Sequence, residues 1–172
     1  MNNIILIGMP SCGKSTVGVL LAKNLGYGFI DTDILIQEKT KKRLCKIIAE
    51  GGADSFLNIE NDVLASVEAE GCVIATGGSA IYGKEAMEHL RSIGKVIYLK
   101  ISFEALSQRL GDYVHRGVVI RNGCTLEDMY NERSPLYEKY ADAVIDEALV
   151  DYSLSATVEE AIKVCESIIT NK

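Results

Sequence analysis

Gly8-Met9-Pro10-Ser11-Cys12-Gly13-Lys14-Ser15 decides how the rest of the chain is read. It matches G-x-x-x-x-G-K-[ST] and sits between an apolar run, Ile4 to Ile7, and a helical pattern carried by Val17, Leu20, Leu21 and Leu25. A strand that ends in such a turn and opens into a helix points consecutive main-chain N–H groups at an anion, and the helix N-terminus adds partial positive charge. Gly8 and Gly13 free the backbone to curl. The expected ligand is the phosphate tail of ATP, held by Gly8, Ser11, Cys12, Gly13, Lys14, Ser15 and Thr16. Lys14 is expected to reach the β and γ oxygens, and the Ser15 hydroxyl to ligate Mg²⁺.

Outward from this loop, apolar runs alternate with amphipathic stretches. Strands are predicted at Ile4 to Ile7, Tyr27 to Ile30, Cys72 to Ala75, Val96 to Leu99 and Ala143 to Ile145, short and apolar on both faces as central parallel strands must be. The clearest helix carries Phe56, Ile59, Val63, Leu64 and Val67 at helical spacing. Others are predicted at about 83–92, 103–110, 125–140 and 158–169, the last opening on a Thr157 and Glu160 capping box. Five strands interleaved with helices predict a three-layer α/β/α fold on a parallel sheet, with ligands at the carboxyl ends of the strands. The whole of residues 1–172 reads as one domain, with an acceptor-binding helical region over about 33–64. The glycine-bearing stretch 111–124, GDYVHRGVVIRNGC, reads as a flexible lid over the nucleotide.

Eighteen basic against 24 acidic residues give a net charge of -6, which repels phosphate backbones and anionic lipid, so neither nucleic acid nor membrane is an expected partner. An anionic ligand must be captured locally by backbone amides and a few placed cations. Five cysteines form no C-x-x-C pair and no cluster with His89 or His115, and the N-terminus lacks a basic leader, which together predict a cytoplasmic protein, expected to be a monomer. Cys12 inside the loop would react only if its thiol were exposed and its pKa lowered. A small residue that fits the turn is the plainer reading.

Asp31-Thr32-Asp33 ends the second predicted strand, at the sheet edge beside the loop. A phosphate-bound cation wants oxygen ligands and an acceptor hydroxyl wants a base. Either aspartate could also cap the helix that follows. Arg116 and Arg121 in the lid both qualify to bring charge to the transferring phosphate. Arg133 stands among Glu132, Glu138 and Asp142, and Arg109 near a helix end, so for each a surface role and a ligand role are open.

These residues, with Gly52 to Glu60, Ala75-Thr76-Gly77-Gly78 and Glu132-Arg133-Ser134-Pro135-Leu136-Tyr137, resemble the shikimate kinase family over nearly the entire length. The resemblance implies that Asp31 assists Mg²⁺, that Asp33 contacts the acceptor hydroxyl, and that Gly77 and Gly78 offer backbone donors to the substrate. It implies Arg116 as the lid arginine, Arg133 as a ligand of the substrate carboxylate and Arg109 as a platform for adenine. The chain departs from the family pattern in two places: Leu57 follows Phe56 where the family carries an arginine, and Ser79 stands where it carries a third glycine. Losing a bidentate arginine removes a charge-assisted contact of about 1.5–3 kcal/mol. The expected activity is phosphoryl transfer from ATP to a hydroxyl of a small molecule, shikimate first. A different small hydroxylated acceptor, and a nucleotide-binding regulatory protein without acceptor activity, are the other readings.

Overall fold

The computed structural model describes residues 3–110, 118–120, 123–150 and 153–170. Five strands, β1 (Asn3–Gly8), β2 (Gly28–Asp31), β3 (Cys72–Ala75), β4 (Gly94–Lys100) and β5 (Ala143–Asp146), form one parallel sheet in the order β2-β3-β1-β4-β5. All five fall where the apolar runs predict them: β3 as predicted, β2 shifted by one residue, β5 longer by one, β1 by two and β4 by three. The centre of the sheet is dry. Ile4, Ile5, Leu6 and Ile7 have no exposed surface, nor do Val96, Ile97, Tyr98 and Leu99 opposite them.

Among the described residues there are seven α-helices, α1 (Lys14–Leu25), α2 (Thr32–Thr40), α3 (Leu44–Ala65), α4 (Lys84–Ile93), α5 (Phe103–Leu110), α6 (Leu126–Tyr140) and α7 (Leu154–Thr170), the first six lying between strands. The crossover through α1 runs leftward along the sheet and those through α2–α3, α4 and α5–α6 run rightward, so right-handed connections put α1 on the opposite face from the others. Helix α7 packs on α1 and completes the second layer.

Two helices differ from their sequence reading. Helix α7 begins at Leu154, not 158, because Ser153 caps it: its carbonyl takes the Thr157 N–H at 2.8 Å and the Thr157 hydroxyl at 2.8 Å. Thr157 is therefore inside the first turn, and the expected capping box with Glu160 does not form. Helix α3 ends before Val67 and is broken at Gly52, whose φ of 76° and ψ of 175° lie outside any helix. Of the predicted lid, residues 111–117 and 121–122 lie outside the described residues. Val119 within it is buried and joins the core.

Asn3 fastens the base of the sheet. Its buried amide donates to the Ala69 carbonyl at 2.7 Å and the Ile93 carbonyl at 3.0 Å, and its oxygen accepts from Cys72 N at 3.0 Å. Replacing it by leucine strands three partly buried backbone groups, each costing about 1–3 kcal/mol where water cannot reach it. Asn3→Leu should lose about 3 kcal/mol or more in urea denaturation while leaving ATP affinity unchanged, since the site is at the other end of the strands.

Candidate active site

At the carboxyl end of β1 the chain turns through Gly8, Ser11 and Gly13 at φ values of 149°, 60° and 96°. Gly8 is obligatory: a Cβ there would lie 2.5 Å from the Leu99 carbonyl oxygen and 2.9 Å from Cys12 Sγ. The turn encloses the Lys14 ammonium, which donates to the carbonyls of Gly8 at 2.8 Å and Met9 at 2.7 Å. Cys12 is buried under the loop, and desolvation pushes its thiol pKa up against the pull of Lys14. It is a packing residue, as the plainer reading expected, and an inert thiol.

The end of β2 lies beside this loop. Asp31 caps α2, its Oδ1 accepting from Asp33 N at 2.9 Å, and its Oδ2 accepts from the Ser15 hydroxyl at 2.7 Å. Asp33, the second residue of α2, faces a cleft of about 600 Å³. Burial and then the neighbouring Asp31 raise its pKa to about 6, with Lys14 pulling the other way.

That cleft gathers most of the predicted residues. Ser11, Gly13, Lys14, Ser15 and Thr16 line it from the loop and the start of α1, and Asp33, Gly77, Gly78 and Arg133 line it from other elements. Arg109 lines it too and is ion-paired to the buried Glu147, Nη1 to Oε2 at 2.7 Å. Gly8, Cys12 and Asp31 are not among its lining residues. Arg116 and Arg121 lie outside the described residues.

Arg133 resolves the choice its acidic neighbours left open. It is 2% exposed, and it donates to the Tyr82 hydroxyl at 3.3 Å, to the Gly78 carbonyl at 3.1 Å and to the Val119 carbonyl. Its guanidinium also lies 5.3 Å from the centre of the Tyr82 ring. Two of the nearby acids pair elsewhere, Glu138 with Lys100 and Asp142 with Lys95. A cation so enclosed, with no ion-paired carboxylate among the described residues, is placed to meet an anion from the cleft.

Gly77 and Gly78 are close-approach positions. Gly77 N donates to the buried Thr32 hydroxyl at 3.2 Å, and its carbonyl starts the turn through Ala80 N. A Cβ on Gly78 would lie 2.9 Å from Pro10 in the phosphate loop.

Two residues escaped the sequence reading as a functional pair. Glu60 is 1% exposed and lines the cleft, and Ser79 donates to its Oε2 at 2.5 Å. Burial drives the Glu60 pKa to about 7; Asp33 adds to the rise, while Ser79, Arg133 and Lys14 oppose it. The signal was in the pattern: Glu60 lies four residues after Phe56 and four before Leu64, on the apolar stripe of α3, where a carboxylate needs a reason. Leu57 does not face the main cleft. It lines a small side pocket with Tyr82, Val119, Ile120 and Met129.

The comparisons with known proteins agree with this arrangement. A family model described as shikimate kinase matches residues 10–166. A shikimate kinase of Clostridium botulinum is 34% identical over 172 residues, covering 99% of this chain and 98% of its own length. One from Nostoc sp. is 39% identical over 140 residues, 80% of this chain and 77% of that one. Among solved structures, a shikimate kinase from Acinetobacter baumannii in complex with shikimate superposes with a TM-score of 0.84 at 33% identity, covering 100% of this chain and 95% of that one.

Glu60 makes stability depend on pH with a definite sign. Its folded pKa of about 7 lies above the ordinary 4.5, so the folded state holds the proton more tightly than the unfolded chain does. That contribution is complete below the ordinary value and is lost as pH rises toward 7; Asp33 acts in the same direction. In the ligand-free protein, Glu60→Gln should therefore raise the melting temperature relative to wild type by more at pH 8 than at pH 5.5. Parallel pH dependences in thermal melts would contradict the assignment.

Proposed function

The chain belongs to the shikimate kinase family, whose members are ATP-dependent phosphotransferases acting on a hydroxyl group, and from that premise we propose that it phosphorylates a hydroxyl of shikimate. The observation that carries this is the convergence of Lys14, Asp33 and Arg133 on one cleft. A cation stands at the phosphate loop, an acid at the middle and a buried arginine at the far end. An acceptor that is both hydroxylated and carboxylated spans such a site.

Each role follows from position. The curled amides of the loop and Lys14 bind the triphosphate, and Lys14 is near enough to leave its two carbonyl partners for a γ oxygen. Asp33 accepts the proton side of the acceptor hydroxyl and aims its oxygen at the phosphorus. Arg133 has given three donors to fixed oxygens, which hold its plane still, and its remaining N–H groups serve the acceptor carboxylate. Arg109, steadied by Glu147, offers a flat face to the adenine. Arg116 from the lid completes the charge around the transferring group.

Ser15 and Asp31 fit Mg²⁺: a hydroxyl oxygen and a carboxylate oxygen 2.7 Å apart at the mouth of the phosphate loop are hard ligands for a hard cation. When bound there, Mg²⁺ neutralises charge on the β and γ oxygens. Free thiols at Cys12, Cys45, Cys72, Cys124 and Cys165 suit a reducing cytoplasm, and no helix among the described residues is long and apolar enough to cross a membrane.

With Leu57 turned into the side pocket, the acceptor carboxylate relies on Arg133 among the described arginines. Coupled ADP release over shikimate, related hydroxy acids and polyols tests the assignment, and shikimate should give the highest kcat/KM. Lys14→Ala should abolish turnover, and Asp33→Asn should lower kcat about 10²-fold or more with ATP affinity retained. Acceptor-independent ADP release, or a polyol without a carboxylate outperforming shikimate, would overturn the reading. Leu57→Arg supplies a second cation near Arg133, and a gain in kcat/KM confined to shikimate would point to a less anionic native acceptor.

A further inference from the structure

Ser79 and Glu60 come from separate parts of the fold and meet at the acceptor end of the cleft. Ser79, 5% exposed, closes the turn after β3, and Glu60 stands on the inner face of the second half of α3. The hydroxyl holds Oε2 at 2.5 Å, whereas Oε1 is buried with no hydrogen-bond partner among the described residues. Its place is defined by Gly77: a Cβ built there would lie 2.2 Å from Glu60 Oε1 and 3.1 Å from Asp33 Oδ1. Two acid oxygens thus flank one bare glycine on the cleft wall. Leu57, one helical turn before Glu60 and the position from which a cation could most easily reach it, is apolar and lies in the side pocket.

An unpartnered buried carboxylate oxygen in a cleft wall is a hydrogen-bond acceptor waiting for a donor. We propose that Ser79 is a positioning residue of the acceptor site: its hydroxyl fixes the Glu60 carboxyl so that Oε1 accepts a hydrogen bond from a second acceptor hydroxyl, beside the one that Asp33 orients. This rests on the reading of that end of the cleft as the acceptor site. It selects acceptors that carry two hydroxyls close together, because a lone hydroxyl satisfies one acid and leaves the other buried without a donor.

The charged groups facing Glu60 are Asp33 from α2, Lys14 from α1 and Arg133 from α6, with the neutral Ser79 from the turn. A donated hydrogen bond favours the ionised carboxylate, and that form accepts the acceptor hydroxyl more strongly. Acceptor affinity should therefore rise with pH as Glu60 ionises. Without the Ser79 hydroxyl the ionisation moves to higher pH.

The test measures shikimate and ATP binding by calorimetry, and kcat/KM for shikimate from pH 5.5 to 9, in wild type, Ser79→Ala, Ser79→Thr and Glu60→Gln. Ser79→Ala should weaken shikimate about tenfold, leave ATP unchanged and displace the rising limb upward in pH. Ser79→Thr should restore both, and Glu60→Gln should remove the part of the limb that rises near pH 7 while leaving the part due to Asp33 near pH 6. Wild-type shikimate affinity in Ser79→Ala, or a loss equal at every pH, refutes the proposal. If Ser79→Ala does not stay folded, Glu60→Gln decides alone, an unchanged rise near pH 7 being the refuting result. Wild type that binds ATP but neither binds nor phosphorylates shikimate sinks the acceptor reading first, and this inference with it.

Discussion

Pro10 presses on Gly78, and that contact sets the spacing on which the cleft depends. One residue belongs to the phosphate loop and the other to the turn after β3, so their approach fixes the nucleotide end against the acceptor end. Thr76 reinforces it by donating both its N–H, at 3.1 Å, and its hydroxyl, at 3.0 Å, to the Leu6 carbonyl. On the far side the Gly78 carbonyl takes hydrogen bonds from Arg133 and, at 2.5 Å, from the Tyr137 hydroxyl. Helix α6 is thereby tied to the same glycine. In-line transfer tolerates little error in distance, and here the distance is held by packed backbone, not by flexible side chains.

The electrostatics follow from this enclosure. Lys14 and Arg133 are buried at opposite ends, and Asp33 and Glu60 lie between them with their protons held above the ordinary carboxylate range. None of the four neutralises another by direct ion pairing among the described residues. Such an arrangement is costly in isolation and becomes favourable when a polyanion, a cation and a polyol enter together. The chain's net charge of -6 leaves that local capture as the means of drawing anions in.

Much of this was legible in the chain. The strands were plain because both faces of a central parallel strand must be apolar, and the phosphate loop because its glycines and lysine have few other reasons to occur at that spacing. Arg133 was ambiguous because a sequence lists Glu132, Glu138 and Asp142 as neighbours without saying that helix rotation turns the arginine inward. The start of α7 was missed because Ser153 and Thr157 are both good caps, one turn apart, and only the tertiary position of the segment chooses between them. The Ser79–Glu60 bond joins residues 19 apart across two elements, and no local pattern encodes such a meeting.

The break at Gly52 has a geometric result of its own. Leu44 and Phe56 both line the cleft, yet on a straight helix twelve residues would separate them by roughly 18 Å along the axis and a third of a turn in azimuth. Gly52, at positive φ with open space where its Cβ would be, kinks the element between these two points, and both line one cleft. One cleft is thus lined from both sides of a single kink.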